Sequence, residues 1–192
     1  MNVWVSEGKK RIARRSGLFL LMSSFTVAGF PQAATAKRDL TAAHARLVRE
    51  VRHELVMLPY YSVFDNLTFK IEGIDTVVLT GQVIKLTLKQ DAENVVRRIE
   101  GAGKIVNSIE VLPLSPNDDR IRLAAFRAIY SRQGLDRYAL RAVPSIHIIV
   151  KNGNITLEGV VANEADRNLA GITARQVSGA FGVTNNLAIE SK

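Results

Sequence analysis

The chain has 192 residues, with 26 Lys and Arg against 18 Asp and Glu, and it contains no cysteine. The lack of cysteine excludes disulfides, thiolate metal sites and thiol catalysis. Residues 1–36 hold five basic residues and one acidic residue, so the remaining chain has a net charge of only +4. A small, scattered excess argues against nucleic-acid binding, which needs a concentrated basic surface, but it is compatible with weak attraction to an anionic phospholipid surface.

The first predicted segment is an export signal over residues 1–36. Five basic residues between positions 9 and 15 precede the apolar run "GLFLLMSSFTVAGF", and "AATA" follows. This order is typical of a secretory signal peptide, and the small residues predict cleavage after Ala36. The apolar run is shorter than the about 20 residues that span a bilayer, although an uncleaved N-terminal anchor is the alternative.

The rest of the chain contains the same unit twice. Residues 76–112 align without a gap with residues 154–190, with identical leucine, glycine and asparagine residues at matching positions. A repeat of roughly 75 residues is near the size of a small domain with its own core, and it is too long for a solenoid unit. The predicted domains are residues 41–113 and 118–190, joined by a polar linker with flanking proline at 114–117.

Each copy has the same predicted order of elements, beginning with an amphipathic helix. In the first copy the helix "HARLVREVRHELVMLP" leads into the strands "LTFKI" and "VVLTG", a second helix and the strand "NSIEV". In the second copy the helix "DDRIRLAAFRAIYSR" leads into "IHIIV" and "ITLEG" around an Asn-Gly turn, then a helix and "NNLAI". These patterns predict the α+β fold class, with two tandem α-β-β-α-β units, each a three-stranded mixed sheet with two helices on one face.

Two motifs in each copy carry a resemblance to a known family. The pattern L-x-G-x-V ends the second strand at residues 79–83 and 157–161. A glycine followed by an apolar strand with a central asparagine lies at residues 101–111 and 179–189. In this order, behind an export signal, they resemble a protein with two tandem BON domains, bacterial periplasmic domains of the osmotically inducible and nodulation type.

The resemblance implies a periplasmic protein that attaches to phospholipid membrane surfaces or to envelope proteins and supports the envelope under osmotic stress. The alternative is a periplasmic chaperone-like or scaffold protein that binds polypeptides through apolar stripes or sheet edges.

No pattern in the sequence predicts catalysis, and we expect no cofactor, metal or small-molecule substrate. The histidines His44, His53 and His147 are far apart and lack the spacing of metal ligands, so all three are predicted to be solvated side chains. No phosphate-binding glycine loop and no nucleophile elbow is present. The chain is therefore predicted to be a non-enzymatic protein.

Four glycines of the repeated motifs are interpreted as backbone requirements rather than ligand contacts. They end the second strand or the second helix of each copy, where the chain must turn. They are Gly81, Gly101, Gly159 and Gly179.

The first helix of the second copy has apolar residues on two sides, which indicates burial on two sides or a partner. The second stripe with its basic neighbours is the candidate face for a membrane or a partner. Its residues are Arg122, Leu123, Phe126, Arg127 and Tyr130. Packing against the first copy, or burial in the core of the second, are the alternatives.

An aromatic cluster lies between the first helix and the first strand of copy one. Tyr60, Tyr61 and Phe64 are predicted to plug the end of the small core, because aromatic burial contributes much to small cores. A recognition surface at a membrane interface is the alternative, since tyrosine is favoured there.

Overall fold

The computed structural model describes residues 32–140 and 144–190, with side chains from residue 40 onward. Residues 1–31, which hold most of the predicted signal peptide, lie outside the described residues. Export and cleavage after Ala36 therefore remain predictions. Within the described part of the chain, no helix is both long enough and apolar enough to cross a bilayer.

The two domains have the same order of elements. Domain 1 consists of α1 Gln32–Val56, β1 Asn66–Glu72, β2 Thr76–Val83, α2 Leu86–Arg97, β3 Ile105–Asn107 and β4 Glu110–Val111. Domain 2 consists of α3 Pro116–Tyr130, a 3₁₀ helix Asp136–Leu140, β5 Ile146–Lys151, β6 Asn154–Val161, α4 Glu164–Arg175, β7 Gly182–Asn185 and β8 Ala188–Ile189. The last predicted strand of each copy is thus present as two short segments.

Each domain forms a mixed sheet. Strand β1 pairs antiparallel with β2, and both β3 and β4 pair parallel with β2. Domain 2 repeats this arrangement around β6, which places β5 and β1 at equivalent edges. One apolar core per domain holds residues of both helices and the central strand, so the helices share one face of the sheet. The predicted α+β fold in two repeated units is confirmed.

The connection between the domains is shorter than the predicted linker. Ser115 caps α3, its Oγ accepting a hydrogen bond from the Asp118 N–H at 3.2 Å, and Pro116 lies in the first turn. Proline is tolerated there because the first N–H groups of a helix have no intrahelical partner. Pro116 and Asn117, predicted as linker, therefore already belong to α3.

The domains contact each other through residues 61–65, which follow α1. The Ile148 N–H on β5 donates to the Val63 carbonyl at 2.8 Å, and the Val63 side chain is buried in the core of domain 2. Lys151 and Glu110 add an ion pair across the domains at 2.5 Å. A loop of the first domain thus forms part of the second domain's packing.

Candidate functional site

Exposed apolar side chains and basic side chains lie together at the C-terminal end of α1. Met57 is 66% exposed and Tyr60 is 77% exposed. The Lys85 Nζ lies 4.7 Å from the centre of the Tyr60 ring, which brings the start of α2 beside them. We call this surface the α1 patch; it consists of Arg49, His53, Met57, Tyr60, Lys85 and Leu86.

Three members of the α1 patch follow from the helical repeat. Arg49, His53 and Met57 are four residues apart and form one outward stripe of α1 and its last turn. A shallow hollow of about 410 Å³ lies along this stripe. The opposite side of α1 carries the core residues Leu47 and Val51. The amphipathic pattern therefore directs this stripe to solvent.

Tyr60 has a backbone conformation that side chains rarely adopt. Its φ is +68°, in the left-handed region, where a bulky residue is strained by about 1 to 3 kcal/mol. The same position in domain 2 is occupied by Gly134, with a φ of +94°. The two turns match, since Tyr61 N–H donates to the Leu58 carbonyl as Leu135 N–H donates to the Arg132 carbonyl. Domain 1 thus retains an exposed aromatic residue where glycine would relieve the strain.

The other two aromatic residues of the predicted plug are packed against domain 2. The Tyr61 ring stacks on His147 at 5.5 Å between ring centres, and burial raises the pKa of Tyr61 to about 12. Phe64 contacts the ring of Phe126 at 5.9 Å. The plug prediction is therefore confirmed only for Tyr61, which packs against the core of domain 1. It is wrong for Tyr60, which is exposed, and for Phe64, which packs against the core of domain 2.

The structure divides the candidate face predicted on α3. Leu123 and Arg127 point to solvent, whereas Arg122 is 3% exposed and Tyr130 is 8% exposed. The Arg122 Nη2 donates to the Val150 carbonyl at 2.7 Å, and the Tyr130 hydroxyl donates to the Ile146 carbonyl at 2.5 Å. These two side chains are unavailable to a membrane because they bind backbone groups of β5.

Phe126 belongs with the buried part of that predicted face. It is half-buried and lies between Phe64 of domain 1 and Tyr130, whose ring centre is 5.0 Å away. Burial also raises the pKa of Tyr130, which keeps its hydroxyl a hydrogen-bond donor. The stripe Arg122, Phe126 and Tyr130 therefore serves the edge of β5 and the domain interface, and only Leu123 and Arg127 remain as surface groups.

The motif glycines have backbone geometry that accounts for them without a ligand. Gly81 and Gly159 have φ of +115° and +116°, and a Cβ would lie 2.0 Å from the Asn66 carbonyl oxygen or 2.1 Å from that of Ser145. Real Cβ contacts are never so short, so no side chain fits unless the strands move. The other two, Gly101 and Gly179, also have positive φ.

His147 differs from its prediction as a solvated side chain. It is 9% exposed, because Tyr61 of domain 1 stacks on it. Burial lowers its pKa below the usual value, although the nearby charges of Asp65 and Glu158 act in the opposite direction. Among the described residues, no group of three or more acidic or histidine side chains is placed to hold a metal ion.

Comparison with known proteins identifies the family. The family model described as BON domain matches residues 41–113 and 131–191. No curated protein matches the chain. The second matched region begins after α3, yet Ile121, Ala125 and Ile129 of α3 are fully buried in the second core, so α3 belongs physically to domain 2.

Solved structures of low similarity include two of CdsD, a structural protein of the Type III secretion system of Chlamydia trachomatis. One is 11% identical, covers 76% of this chain and 92% of that chain, and has a TM-score of 0.30. The other, its C-terminal domain, is 11% identical, covers 76% of this chain and 98% of that chain, and has a TM-score of 0.27. Scores this low support no inference about this chain.

The two matched regions together span well over half of the chain. BON domains are typical of envelope-associated proteins of a phospholipid-binding type. The chain therefore belongs to the BON-domain family and carries two tandem copies of the domain.

Proposed function

We propose that this protein is a non-enzymatic, exported envelope protein that attaches to anionic phospholipid surfaces through the α1 patch and supports the envelope under osmotic stress. The observation that carries the proposal is Tyr60, an exposed aromatic residue in a strained conformation beside Lys85. The equivalent Gly134 indicates that the fold itself needs no side chain at this position. A strained residue that the fold does not require is a reasonable marker of a functional surface.

The composition of the α1 patch suits the boundary between headgroups and acyl chains. Met57, Tyr60 and Leu86 can insert shallowly, and tyrosine is favoured at this depth because its ring is apolar and its hydroxyl is polar. Arg49 and Lys85 can meet headgroup phosphates, each contributing about 1 kcal/mol near an anionic surface. Shallow apolar insertion and basic contacts together are the usual requirements for reversible attachment.

The two surface groups left on α3 make a weaker candidate. Leu123 is 49% exposed. Of the two arginines in the predicted face, Arg127 is exposed and Arg122 is buried. One apolar side chain with one charge gives less binding energy than the α1 patch. The membrane face predicted from the sequence is therefore replaced, in this proposal, by a surface on domain 1.

Vesicle flotation tests the proposal directly. The protein lacking residues 1–36 is mixed with vesicles of phosphatidylcholine alone or with added phosphatidylglycerol. We expect binding to the anionic vesicles, reduced at least about tenfold in Met57→Ser with Tyr60→Ser, since two partly inserted side chains contribute about 1 to 2 kcal/mol or more. Lys85→Gln should weaken binding and make it less sensitive to salt.

Matched controls come from exposed residues outside the α1 patch. Leu114→Ser removes an apolar side chain that is 91% exposed, and Arg127→Gln removes a charge on α3. Both should bind like the unchanged protein. If the Met57→Ser and Tyr60→Ser double variant bound as well as the unchanged protein, or if only Arg127→Gln lost binding, the α1 patch would not be the membrane surface. If the unchanged protein bound no vesicle, phospholipid attachment would be contradicted.

A further inference from the structure

The outer edge of β5 is closed by groups from the same chain. The Tyr130 hydroxyl donates to the Ile146 carbonyl, the Ile148 N–H donates to the Val63 carbonyl, and the Arg122 guanidinium donates to the Val150 carbonyl. Alternate residues of an edge strand direct both backbone groups outward, and these three residues alternate along β5. Each of these three residues therefore has one outward backbone group bound by the same chain, and the segment around Val63 occupies the middle of this edge.

The equivalent edge of β1 is open. Leu67, Phe69 and Ile71 stand at the positions of the three β5 residues. Among the described residues, the outward groups of Phe69 and Ile71 have no hydrogen-bond partner, and the Leu67 N–H has only a long contact of 3.5 Å to the Tyr61 hydroxyl. The side chains of the three are half-buried, whereas those of their β5 counterparts are fully buried.

The helices explain the difference. When α1 and α3 are aligned by their buried residues, Val48 corresponds to Arg122, Arg52 to Phe126 and Val56 to Tyr130. Valine at 48 and 56 has no polar group to offer the β1 carbonyls. What remains is a groove of about 380 Å³ between α1 and β1, which we call the β1 groove. Its walls include Val48, Arg52, Val56, Phe69 and Ile71.

We infer that the β1 groove binds an extended polypeptide segment, which adds to β1 as a further strand. Such a segment would supply the backbone partners that β5 receives from Val63, Arg122 and Tyr130, a recognition mode in which main-chain hydrogen bonds give affinity and pockets give specificity. Val63 is hydrogen-bonded to β5 and its side chain is buried in the core of domain 2, so an edge of this fold does accept a chain segment with a β-branched side chain.

The charges of the β1 groove select the segment. Lys70 lines it with its ammonium paired to Glu72 at 2.5 Å, whereas Arg52 has no ion pair among the described residues, so its guanidinium favours an acidic side chain beside the apolar residues. A second copy of this chain is a poorer occupant, because pairing two β1 edges would bring the Arg52 side chains of both copies into one interface. The occupant is therefore a polypeptide with apolar residues at alternate positions and acidic residues between them.

Fluorescence anisotropy with a labelled synthetic peptide tests the inference. The probe is an eight-residue peptide that alternates valine with aspartate and threonine, and one control peptide carries lysine in place of aspartate. A second control is N-methylated at alternate residues, so it cannot pair with a strand edge. We expect the probe alone to bind the chain lacking residues 1–36, and binding of the methylated peptide would contradict strand addition.

Two sets of variants locate the binding. Ile71→Pro removes the outward N–H of Ile71. Ile71→Ala is its control, since both variants lose the isoleucine side chain. The proline variant should bind the peptide about tenfold more weakly than the alanine variant, because it loses one hydrogen bond and strains the edge. The double substitution Val48→Arg with Val56→Tyr gives α1 the two side chains with which α3 binds the β5 carbonyls. It should abolish peptide binding, while the circular dichroism spectrum stays native and the melting temperature is unchanged or higher.

The outcomes separate the possibilities. Equal binding by Ile71→Pro and Ile71→Ala, or unchanged binding after the double substitution on α1, would overturn the inference. Self-association in sedimentation velocity that is lost in Ile71→Pro, without peptide binding, would assign the edge to a second copy and also overturn it. Vesicle binding by the two Ile71 variants is expected to remain, because Met57, Tyr60 and Lys85 are untouched, so failure here and failure of membrane attachment are distinguishable.

Discussion

Strands β1 and β5 hold the same place in two copies of one fold, yet β5 is buried along almost its whole length and β1 is half-buried. Arg122 and Tyr130 of α3 and a loop of domain 1 bind the outward backbone groups of β5. Domain 1 gives its own loop to domain 2 and receives no equivalent segment among the described residues. Duplication thus left one copy closed and the other with an open edge and an exposed patch.

The closed copy also depends on the open one. The Val63 side chain and the Tyr61 ring fill sites in domain 2, so part of its stability comes from residues outside it. Domain 1 retains Tyr60 in a strained turn and Val48 and Val56 beside an open edge. The comparison teaches that residues with the same backbone position can serve packing in one copy and remain free for binding in the other.

The largest expected effect tests what the two copies share. Gly159→Val and Gly81→Val should each lower the free energy of unfolding by about 3 kcal/mol or more, because strain at positive φ adds to a clash with a backbone carbonyl. Urea denaturation of the full chain measures both. The control Gly101→Ala has open space around it and should lose only about 1 kcal/mol. If Gly159→Val did not lower the stability, the close approach of the neighbouring strand would not be the reason for glycine at this position.

The next effect separates the two copies at one helical position. Phe126→Ala should lower the free energy of unfolding by about 2 kcal/mol, less than for a fully buried phenylalanine because the ring is half-buried between Phe64 and Tyr130. The equivalent Arg52→Ala on α1 should change it by less than about 0.5 kcal/mol. Thermal and urea denaturation of both variants decide it, and equal losses would show that the β1 edge is packed as tightly as that of β5.

A smaller effect of opposite sign concerns the turn after each first helix. Tyr60→Gly should raise the free energy of unfolding by about 1 kcal/mol, because glycine adopts the left-handed conformation without strain, as Gly134 does. The same variant should bind anionic vesicles more weakly. Tyr60→Phe is the control, because it keeps both the aromatic ring and the backbone strain at this position. If Tyr60→Gly lost stability, the tyrosine would be a packing residue after all.

The smallest effect is a pH dependence that only the closed copy should have. Burial lowers the pKa of His147 in the folded protein below its usual value, so the stability that its neutral form contributes is present above that usual value and is lost as the pH falls through the folded pKa. The equivalent residue on β1 is Thr68, which has no titratable group. His147→Thr should flatten the stability profile below pH 6.5, measured by urea denaturation. An unchanged profile would show that His147 does not cause the acid sensitivity.

The fold could be predicted because its signals are local. The repeat, the alternation of the strands and the amphipathic helices each depend on neighbours within a few residues, and the Asn152-Gly153 turn adopts the positive φ angles that such a hairpin requires. Gly81 and Gly159 could also be predicted from the sequence, because the carbonyl oxygen of the neighbouring strand leaves no room for a Cβ at either position.

The candidate site could not be predicted in this way. Arg122 and Tyr130 look like surface residues of a helix with two apolar sides, and only their hydrogen bonds to β5 reveal that they are internal. Tyr60 and Tyr61 are adjacent in sequence, but one is exposed and the other lies against His147 of the other domain. A comparison of Tyr60 with Gly134 in the aligned copies is the sequence signal that could have singled out Tyr60.

The sequence by itself determined the duplicated α-β-β-α-β unit and the glycine positions, because these follow from backbone geometry and short-range periodicity, and its repeated motifs carried the resemblance to the BON family. The tertiary structure decided which stripe of α3 is buried, which tyrosine faces solvent and which sheet edge is open. Those outcomes depend on contacts between residues of different domains, such as Val63 with Ile148, whose free energy is set by the packing of both partners and not by the pattern around either one.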